Sequence, residues 1–222
     1  MTMFPTDLYD LDALVKVDAA RGLDDGLDVL RDAGRSARLW DAWKERRLDA
    51  PQTLRLLDRV VVSASSAFNA VTAALAAGRT KLGGWFRLMR QSVSAHVFAG
   101  SLTVFGPGPA PADVDATAAA VGKQLAYLKG FRAALADGSQ LLTGAEARAE
   151  LYARAVHGAA QNLARAKAWR DGFKEERRIL GYADHCPTCL EQAALKWQPR
   201  GVLTAIGDSE CFAFCRCSFS YR

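Results

Sequence analysis

The first 185 residues of this 222-residue chain contain no cysteine, and all five cysteines fall in the last 37 residues. The chain also lacks an uninterrupted apolar run near the ~18 residues that span a bilayer, so we expect no membrane partner. Its N-terminus, MTMFPTDLYDLDALV, lacks the basic and apolar regions of a secretory signal. These absences favour folding in a reducing cytoplasm, where clustered cysteines are more often metal ligands or redox groups than structural disulfides.

Acidic residues are missing from Arg59 to Ala112, although the formal net charge of the whole chain is only +5. Residues 1–34 hold eight Asp against three basic residues, so the other 188 residues carry +10. A solvated helix face is the ordinary explanation for such charge. The alternative is a basic body that contacts nucleic acid or an acidic protein surface.

Catalytic patterns are missing as well. The chain has no Gly-rich phosphate loop, no Ser-His-Asp order and no paired carboxylates at a useful spacing. No H-x-E occurs around His96, His157 or His185, which excludes a zinc deaminase. Glu175 and Glu176 lie in a run of Lys and Arg, which predicts a solvated, ion-paired face. We therefore expect no enzymatic activity, and we expect His96 to be a core histidine.

The abundance of Ala, Leu and Arg, with few β-branched residues, predicts a mainly α fold. We expect an acidic helical segment over 1–50, a helical body over 51–176 and a cysteine-rich, zinc-knuckle-like module over 177–222. In the first segment, glycines are expected to end short helices (Gly22, Gly26 and Gly34).

The body is predicted to contain about four long helices, ended by Gly78, Gly100, Gly138 and Gly172. GPGPAPA at 106–112 predicts a loop, because proline lacks the amide donor that a helix needs. TGAE at 143–146 has the pattern of a capping box that opens the fourth helix. Ser36 is expected to cap a helix that carries Trp40 and Trp43.

Strand signals occur only near the C-terminus. Four segments are candidate short strands: RRIL at 177–180, LKW at 195–197, GVL at 201–203 and CSFSYR at 217–222. QPRG at 198–201 predicts a turn, with Pro199 at its second position. The expected result is a small β-hairpin between two cysteine pairs.

The cysteine spacing is typical of a zinc ribbon, in which two knuckles around a hairpin bring four thiolates to one tetrahedral Zn²⁺. The predicted ligands of a structural zinc ion are Cys186, Cys189, Cys211 and Cys215. Cys215 and Cys217 alternate in a predicted strand and would point to opposite faces, so Cys217 is the substitute for Cys215. His185 is expected beside the ligands or in solvent.

Two other interpretations of the cysteines stay open. A thioredoxin-like redox motif needs its C-x-x-C at a helix N-terminus in an α/β domain, and no α/β pattern precedes Cys186. Disulfide bonds in the mature protein are the second alternative.

The segments HCPTCLEQAALKWQPRG and CFAFCRC resemble the C-terminus of phage head morphogenesis (minor head or minor capsid) proteins. Upstream, AALAAGRTKLGGWFRLMRQSVSAH, QLAYLKGFRAALADG and ARAELYARAVHGAA resemble the helices of that family, so the resemblance covers roughly residues 70–222. The usual family ending has an asparagine before C-R-C and often a histidine as third ligand. This chain has Phe214 and Cys211 there, which leaves the exact ligand set open.

The resemblance implies a non-enzymatic structural protein of the virion or prohead that acts near the portal or the capsid interior. Its partners would be portal or capsid proteins, packaged DNA through non-specific basic contacts, and other copies of itself. It would be found in the virion and, during assembly, in the host cytoplasm. The alternative function is a zinc-ribbon nucleic-acid-binding protein.

Overall fold

The structure of the protein, a computed structural model, describes the backbone of residues 11–222 and the side chains from Arg21 onward, Ser36 excepted. Its α-helices are α1 Leu11–Ser36, α2 Trp40–Lys44, α3 Ala50–Ala76, α4 Leu82–Phe105, α5 Pro111–Ala136, α6 Ala145–Arg170 and α7 Pro187–Ala194. Its strands are β1 Glu175–Ile179, β2 Gln198–Pro199 and β3 Ser218–Tyr221, and 3₁₀ turns span Leu142–Gly144 and Phe212–Phe214. The predicted mainly α fold with a small C-terminal sheet is confirmed.

Helix α4 lies at the centre of the helical bundle. It packs against α1, α3, α5 and α6, and every residue from Val93 to Thr103 is buried. A helix that is apolar on all sides must be enclosed on all sides. The expectation for His96 is confirmed: it is 4% exposed and its two ring nitrogens lie 2.7 Å from the Ser92 carbonyl oxygen and 3.2 Å from Ser63 Oγ.

The prediction that Gly22 and Gly26 end short helices is wrong, because α1 runs unbroken through both, whereas the short helix that carries Trp40 and Trp43 is present as α2. A Cβ at Gly22 would lie 2.9 Å from the Phe98 ring, and one at Gly26 would lie 2.7 Å from Phe98 Cβ. These glycines therefore let the backbones of α1 and α4 approach each other, and they do not end a helix.

Gly100 does not end α4, which continues to Phe105 and ends at Gly106 with φ 75°. A Cβ at Gly100 would lie 2.9 Å from Val156 Cγ1 of α6, so this glycine also serves a close helix contact. The other predicted stops are confirmed, since the glycines that follow α3, α5 and α6 all have positive φ (Gly78 67°, Gly138 78°, Gly172 93°).

The predicted helix caps differ from those observed. Ser36 is the last residue of α1, and Leu39 precedes α2 with no side-chain cap. The predicted capping box at 143–146 is also absent, because α6 is entered through a 3₁₀ turn and its N-cap is Gly144. A capping box occurs instead before α3, where Asp49 and Gln52 bond each other's backbone amides at 2.7 and 3.0 Å.

Helix α3 is long and apolar enough to cross a membrane, judged by length and composition alone. The sequence did not predict such a helix, because it contains no uninterrupted apolar run of that length. Its buried residues recur at helical spacing, from Leu56 through Val60, Ala64 and Phe68 to Leu75. This face packs against α4 and α6. That arrangement is the one expected of an amphipathic core helix.

The sheet has the order β2-β1-β3, with β1 antiparallel to both neighbours. The strands predicted at 195–197 and 201–203 are therefore wrong, and the chain between Cys189 and Cys211 is not a hairpin. The turn predicted at 198–201 is displaced by one residue, because the Val202 amide donates to the Pro199 carbonyl at 3.3 Å. Pro199 is its first residue, and Gly201 takes the left-handed position at φ 85°.

Candidate metal centre

The first two cysteines are positioned by the start of α7. Cys186 is the N-cap residue in an extended conformation, Pro187 is the first helical residue, and the Cys189 amide donates to the Cys186 carbonyl at 3.0 Å. Proline favours an extended residue before it and a helix after it. The C-x-x-C pair thus lies at a helix N-terminus, as a thioredoxin-like redox motif requires. The sheet beside this motif in the described residues, however, is three-stranded and antiparallel, and is not part of an α/β domain.

The other three cysteines flank a 3₁₀ turn and the start of β3. Cys211 precedes the turn, Cys215 follows it, and Cys217 lies one residue before β3. Cys215 is 3% exposed and Cys217 is 0% exposed. The prediction that they point to opposite faces is wrong, because the strand begins only at Ser218 and Cys215 leaves a turn.

The thiols form two groups of three that share Cys189. The sulfurs of Cys186, Cys189 and Cys211 lie within 4.8 Å of one another, as do those of Cys189, Cys215 and Cys217. All five cysteines are free. This clustering could hold a metal ion.

The sulfur separations have the size that a tetrahedral metal site needs. Cys189 Sγ lies 3.7 Å from Cys211 Sγ and 3.7 Å from Cys215 Sγ. Four thiolates at the usual Zn–S distance of about 2.3 Å are separated by about 3.8 Å along each edge of the tetrahedron. Cys189 belongs to both groups of three sulfurs.

The thiols differ in acidity within each group. A hydrogen bond from the Cys217 thiol, opposed by burial, lowers the pKa of Cys215 to about 4. Burial raises the pKa of Cys211 to about 12. Burial opposes ionisation of Cys186 as well, but hydrogen bonds from Cys189 outweigh it and lower the pKa of Cys186. Each group thus contains one thiol that is predisposed to be a thiolate, the form that binds metal.

A buried arginine faces the sulfurs. Arg178 is 3% exposed, and its Nη1 lies 3.9 Å from Cys189 Sγ and 3.8 Å from Cys215 Sγ. Its Nη2 donates to the Thr204 carbonyl. The guanidinium supplies positive charge beside a site whose ligands are anionic. Sequence reasoning missed this residue because it depends on the alternation of β1, which turns Glu176 and Arg178 to the same inner side.

Ser209 and His185 complete the surroundings of the sulfurs. Ser209 is buried, with its Oγ 3.3 Å from Cys211 Sγ and 3.7 Å from Cys189 Sγ. His185 is half-buried, with Nδ1 3.7 Å from Cys217 Sγ and Nε2 2.8 Å from the Gly181 carbonyl oxygen. If Nε2 carries the proton and donates to Gly181, Nδ1 is left as an acceptor toward Cys217.

The module is fixed to α6 by buried polar contacts. His157 Nε2 lies 2.9 Å from the Cys217 carbonyl oxygen, and Asn162 donates to the Ile206 carbonyl at 3.0 Å. Arg165 of α6 pairs with Glu176 of β1, which is 0% exposed. The prediction of a solvated face at Glu175 and Glu176 is therefore wrong for Glu176.

The sequence matches no protein-family model, no curated protein and no solved structure at a level that indicates a relationship.

Proposed function

We propose that the C-terminal module holds one structural Zn²⁺ and serves as the docking part of a non-enzymatic phage head morphogenesis protein. The proposed ligands are Cys186, Cys189, Cys211 and Cys215, with Cys217 as the substitute for Cys215. The observation that carries the metal proposal is the convergence of five free thiols around Cys189.

The donor set favours zinc over the other common metals. Soft thiolate ligands select zinc, copper(I) or iron–sulfur chemistry, whereas magnesium and calcium require oxygen ligands. A site closed by four protein ligands is typical of structural zinc, because catalytic zinc keeps an open position. The role of the ion here would be to hold the module together.

The module needs such a stabilising link. Apart from its cysteines, its buried apolar residues are Leu203, Ile206 and Phe219. So small a core does not offset the conformational entropy of ordering some 40 residues, at about 1–2 kcal/mol per backbone residue. Zinc binding of about 10–16 kcal/mol in zinc-finger peptides is of the required size.

The docking role is supported by the surface of the module and by its resemblance to phage head proteins. The module and the chain leading into it expose eight large apolar side chains (Phe173, Leu180, Tyr182, Leu190, Leu195, Val202, Phe212 and Phe214). Contact with a partner protein would remove this apolar surface from water. Portal or capsid proteins are the proposed partners, and the virion is the proposed location.

The zinc proposal is tested by elemental analysis of protein purified without chelator, together with single Cys→Ser variants. We expect one zinc per chain, its loss in Cys189→Ser and Cys215→Ser, and its retention in Cys217→Ser. The reverse result for the last two would make Cys217 the fourth ligand. Protein without metal, or with Cys186 or Cys189 in a disulfide after expression in a reducing cell, refutes the zinc site.

The phage role is tested separately, by mass spectrometry of purified proheads and mature particles. We expect the protein at low copy number, and we expect portal and terminase genes beside its own. Its absence from both particle types refutes the role.

A zinc-ribbon nucleic-acid-binding protein is the second candidate function. One observation favours it: the guanidinium groups of Arg177 and Arg222 lie over the ring of Trp197, 4.8 and 4.6 Å from its centroid.

A further inference from the structure

We infer that the outer face of the C-terminal sheet, around Arg177, Trp197 and Arg222, is a binding surface for the phosphate backbone of nucleic acid. This inference goes beyond the proposed zinc site and particle role, since neither requires it. We call this surface the arginine–tryptophan face.

The pleat of β1 separates this face from the metal centre. Glu176 and Arg178 are buried on the inner side, whereas Arg177 is exposed on the outer side. No hydrogen bond joins the Arg177 guanidinium to any described group, whether backbone from Leu11 onward or side chain from Arg21 onward, Ser36 excepted. Its guanidinium carbon lies 4.8 Å from the Trp197 ring centroid, and an arginine held against an aromatic ring retains less freedom to lose when it binds.

Three further exposed cations lie beside these residues along the backbone (Lys174, Lys196 and Arg200). The backbone brings them together, because the Lys174 amide donates to the Arg222 carbonyl at 2.9 Å and the Arg200 amide donates to the Lys174 carbonyl at 3.0 Å. Lys196 directly precedes Trp197 in the left-handed conformation, with φ 59°. Apart from buried Glu176, the only acidic residue of the three strands is Glu175, which accepts from Arg222 Nε at 2.5 Å.

The chemistry of this face fits phosphate better than it fits a protein partner. A guanidinium presents paired donors that match two oxygens of one phosphate. Protein interfaces usually have an apolar core, whereas the indole of Trp197 is covered by the guanidinium groups of Arg177 and Arg222. The same cover means that Trp197 is not free to stack on a base. We therefore assign backbone contacts without sequence preference, to duplexes and single strands alike.

The experiment measures binding of the full chain to a labelled mixed-sequence duplex of roughly 30 base pairs, and to its single strand, by fluorescence anisotropy over roughly 50 to 300 mM salt. The test variant carries Arg177→Ala, Lys196→Ala and Arg200→Ala. The matched control carries Arg79→Ala, Lys81→Ala and Arg87→Ala, which remove three exposed cations from the helical body. Both variants have the same net charge, so they differ only in where the charge was removed.

We expect the test variant to lose affinity by about 10-fold or more at low salt and to have a log–log salt slope shallower by about 2–3, whereas the control variant binds like the original protein. A Trp197→Ala variant should lose affinity several-fold without any change of charge, because Arg177 and Arg222 are no longer held. Zinc content should be unchanged in the two triple variants.

Equal losses in the test and control variants would place binding on the body and overturn the inference. Binding of an acidic peptide such as poly-glutamate, with no binding of either nucleic acid at low salt, would overturn it in favour of an acidic protein partner. Protein that contains no zinc when purified without chelator, yet binds DNA and loses affinity in the test variant, would refute the proposed zinc site and leave this inference standing, so the two failures are distinguishable.

Discussion

Replacement of Glu176 by glutamine tests whether the module is held on the helical body by one buried ion pair. Glu176 is 0% exposed and accepts from Arg165 Nε at 2.7 Å, from Arg165 Nη2 and from the Gly201 amide at 3.0 Å. The glutamine side chain would keep the shape and an acceptor for Gly201, but it would leave the guanidinium of Arg165, which is 7% exposed, without a counter-charge.

Removing one partner of a buried pair costs about 3–5 kcal/mol, because the remaining charge is uncompensated. Arg165→Met should cost a similar amount, and it also removes the contacts of the guanidinium with Trp169 and Phe219. The double variant carries no unpaired charge. Its loss in free energy of unfolding should therefore be about 3 kcal/mol smaller than the sum of the losses in the two single variants.

The free energy of unfolding is measured by urea denaturation, followed by tryptophan fluorescence and circular dichroism at saturating zinc. Glu175→Gln is the matched control, because Glu175 pairs with Arg222 at the surface and an exposed pair contributes about 0–1 kcal/mol. Additive effects within about 0.5 kcal/mol, or an equal cost for Glu175→Gln and Glu176→Gln, would refute the reasoning.

Three further outcomes are expected. Gly26→Ala should lower the free energy of unfolding by about 1–3 kcal/mol, because its Cβ would lie 2.7 Å from Phe98 Cβ. In the control variant Gly130→Ala the new Cβ has nothing within 4 Å, so the free energy of unfolding should rise by about 0.5–1 kcal/mol. Urea denaturation measures both changes, and shifts of the same sign would contradict this account. Burial lowers the pKa of His96 in the folded protein. The stability that neutral His96 contributes is therefore full above the unfolded pKa of about 6.5 and is lost as the pH falls below that value. NMR titration of the ring measures the pKa, and protonation at or above pH ~6.5 would contradict this prediction. Arg178→Met should weaken zinc retention by about 10- to 100-fold in competition with a chelator, and unchanged retention would show that the guanidinium does not support the ligands.

The helix ends show which part of the fold the sequence could predict. Gly78, Gly138 and Gly172 follow apolar stripes and adopt positive φ, so the local rule for helix ends identified them. Gly26 and Gly100 look the same in sequence, yet they lie inside helices where a neighbouring helix leaves no room for a side chain. That difference depends on the packing partner, which local sequence does not specify.

The same limit applies to the candidate site. Spacing alone identified the cysteines as one cluster, because the thiols are confined to one short segment. It could not identify Arg178 or Ser209, whose positions depend on the pairing of β1 and on the fold of the connecting chain. It also wrongly placed Cys215 and Cys217 on opposite faces of one strand, because β3 begins only at Ser218.

The central place of α4 has a consequence for how the chain is made on the ribosome. Helix α4 is complete at Phe105, but α6, one of the helices that enclose it, ends about 65 residues later at Arg170. At a translation rate of about 5–20 residues per second, roughly 3–13 s pass between the two. During that interval α1 and α3 are available to cover α4, and α5 joins them once it is complete at Ala136, but the apolar side that later meets α6 is open to solvent. The nascent chain therefore presents a transient binding site for chaperones that the finished protein does not have.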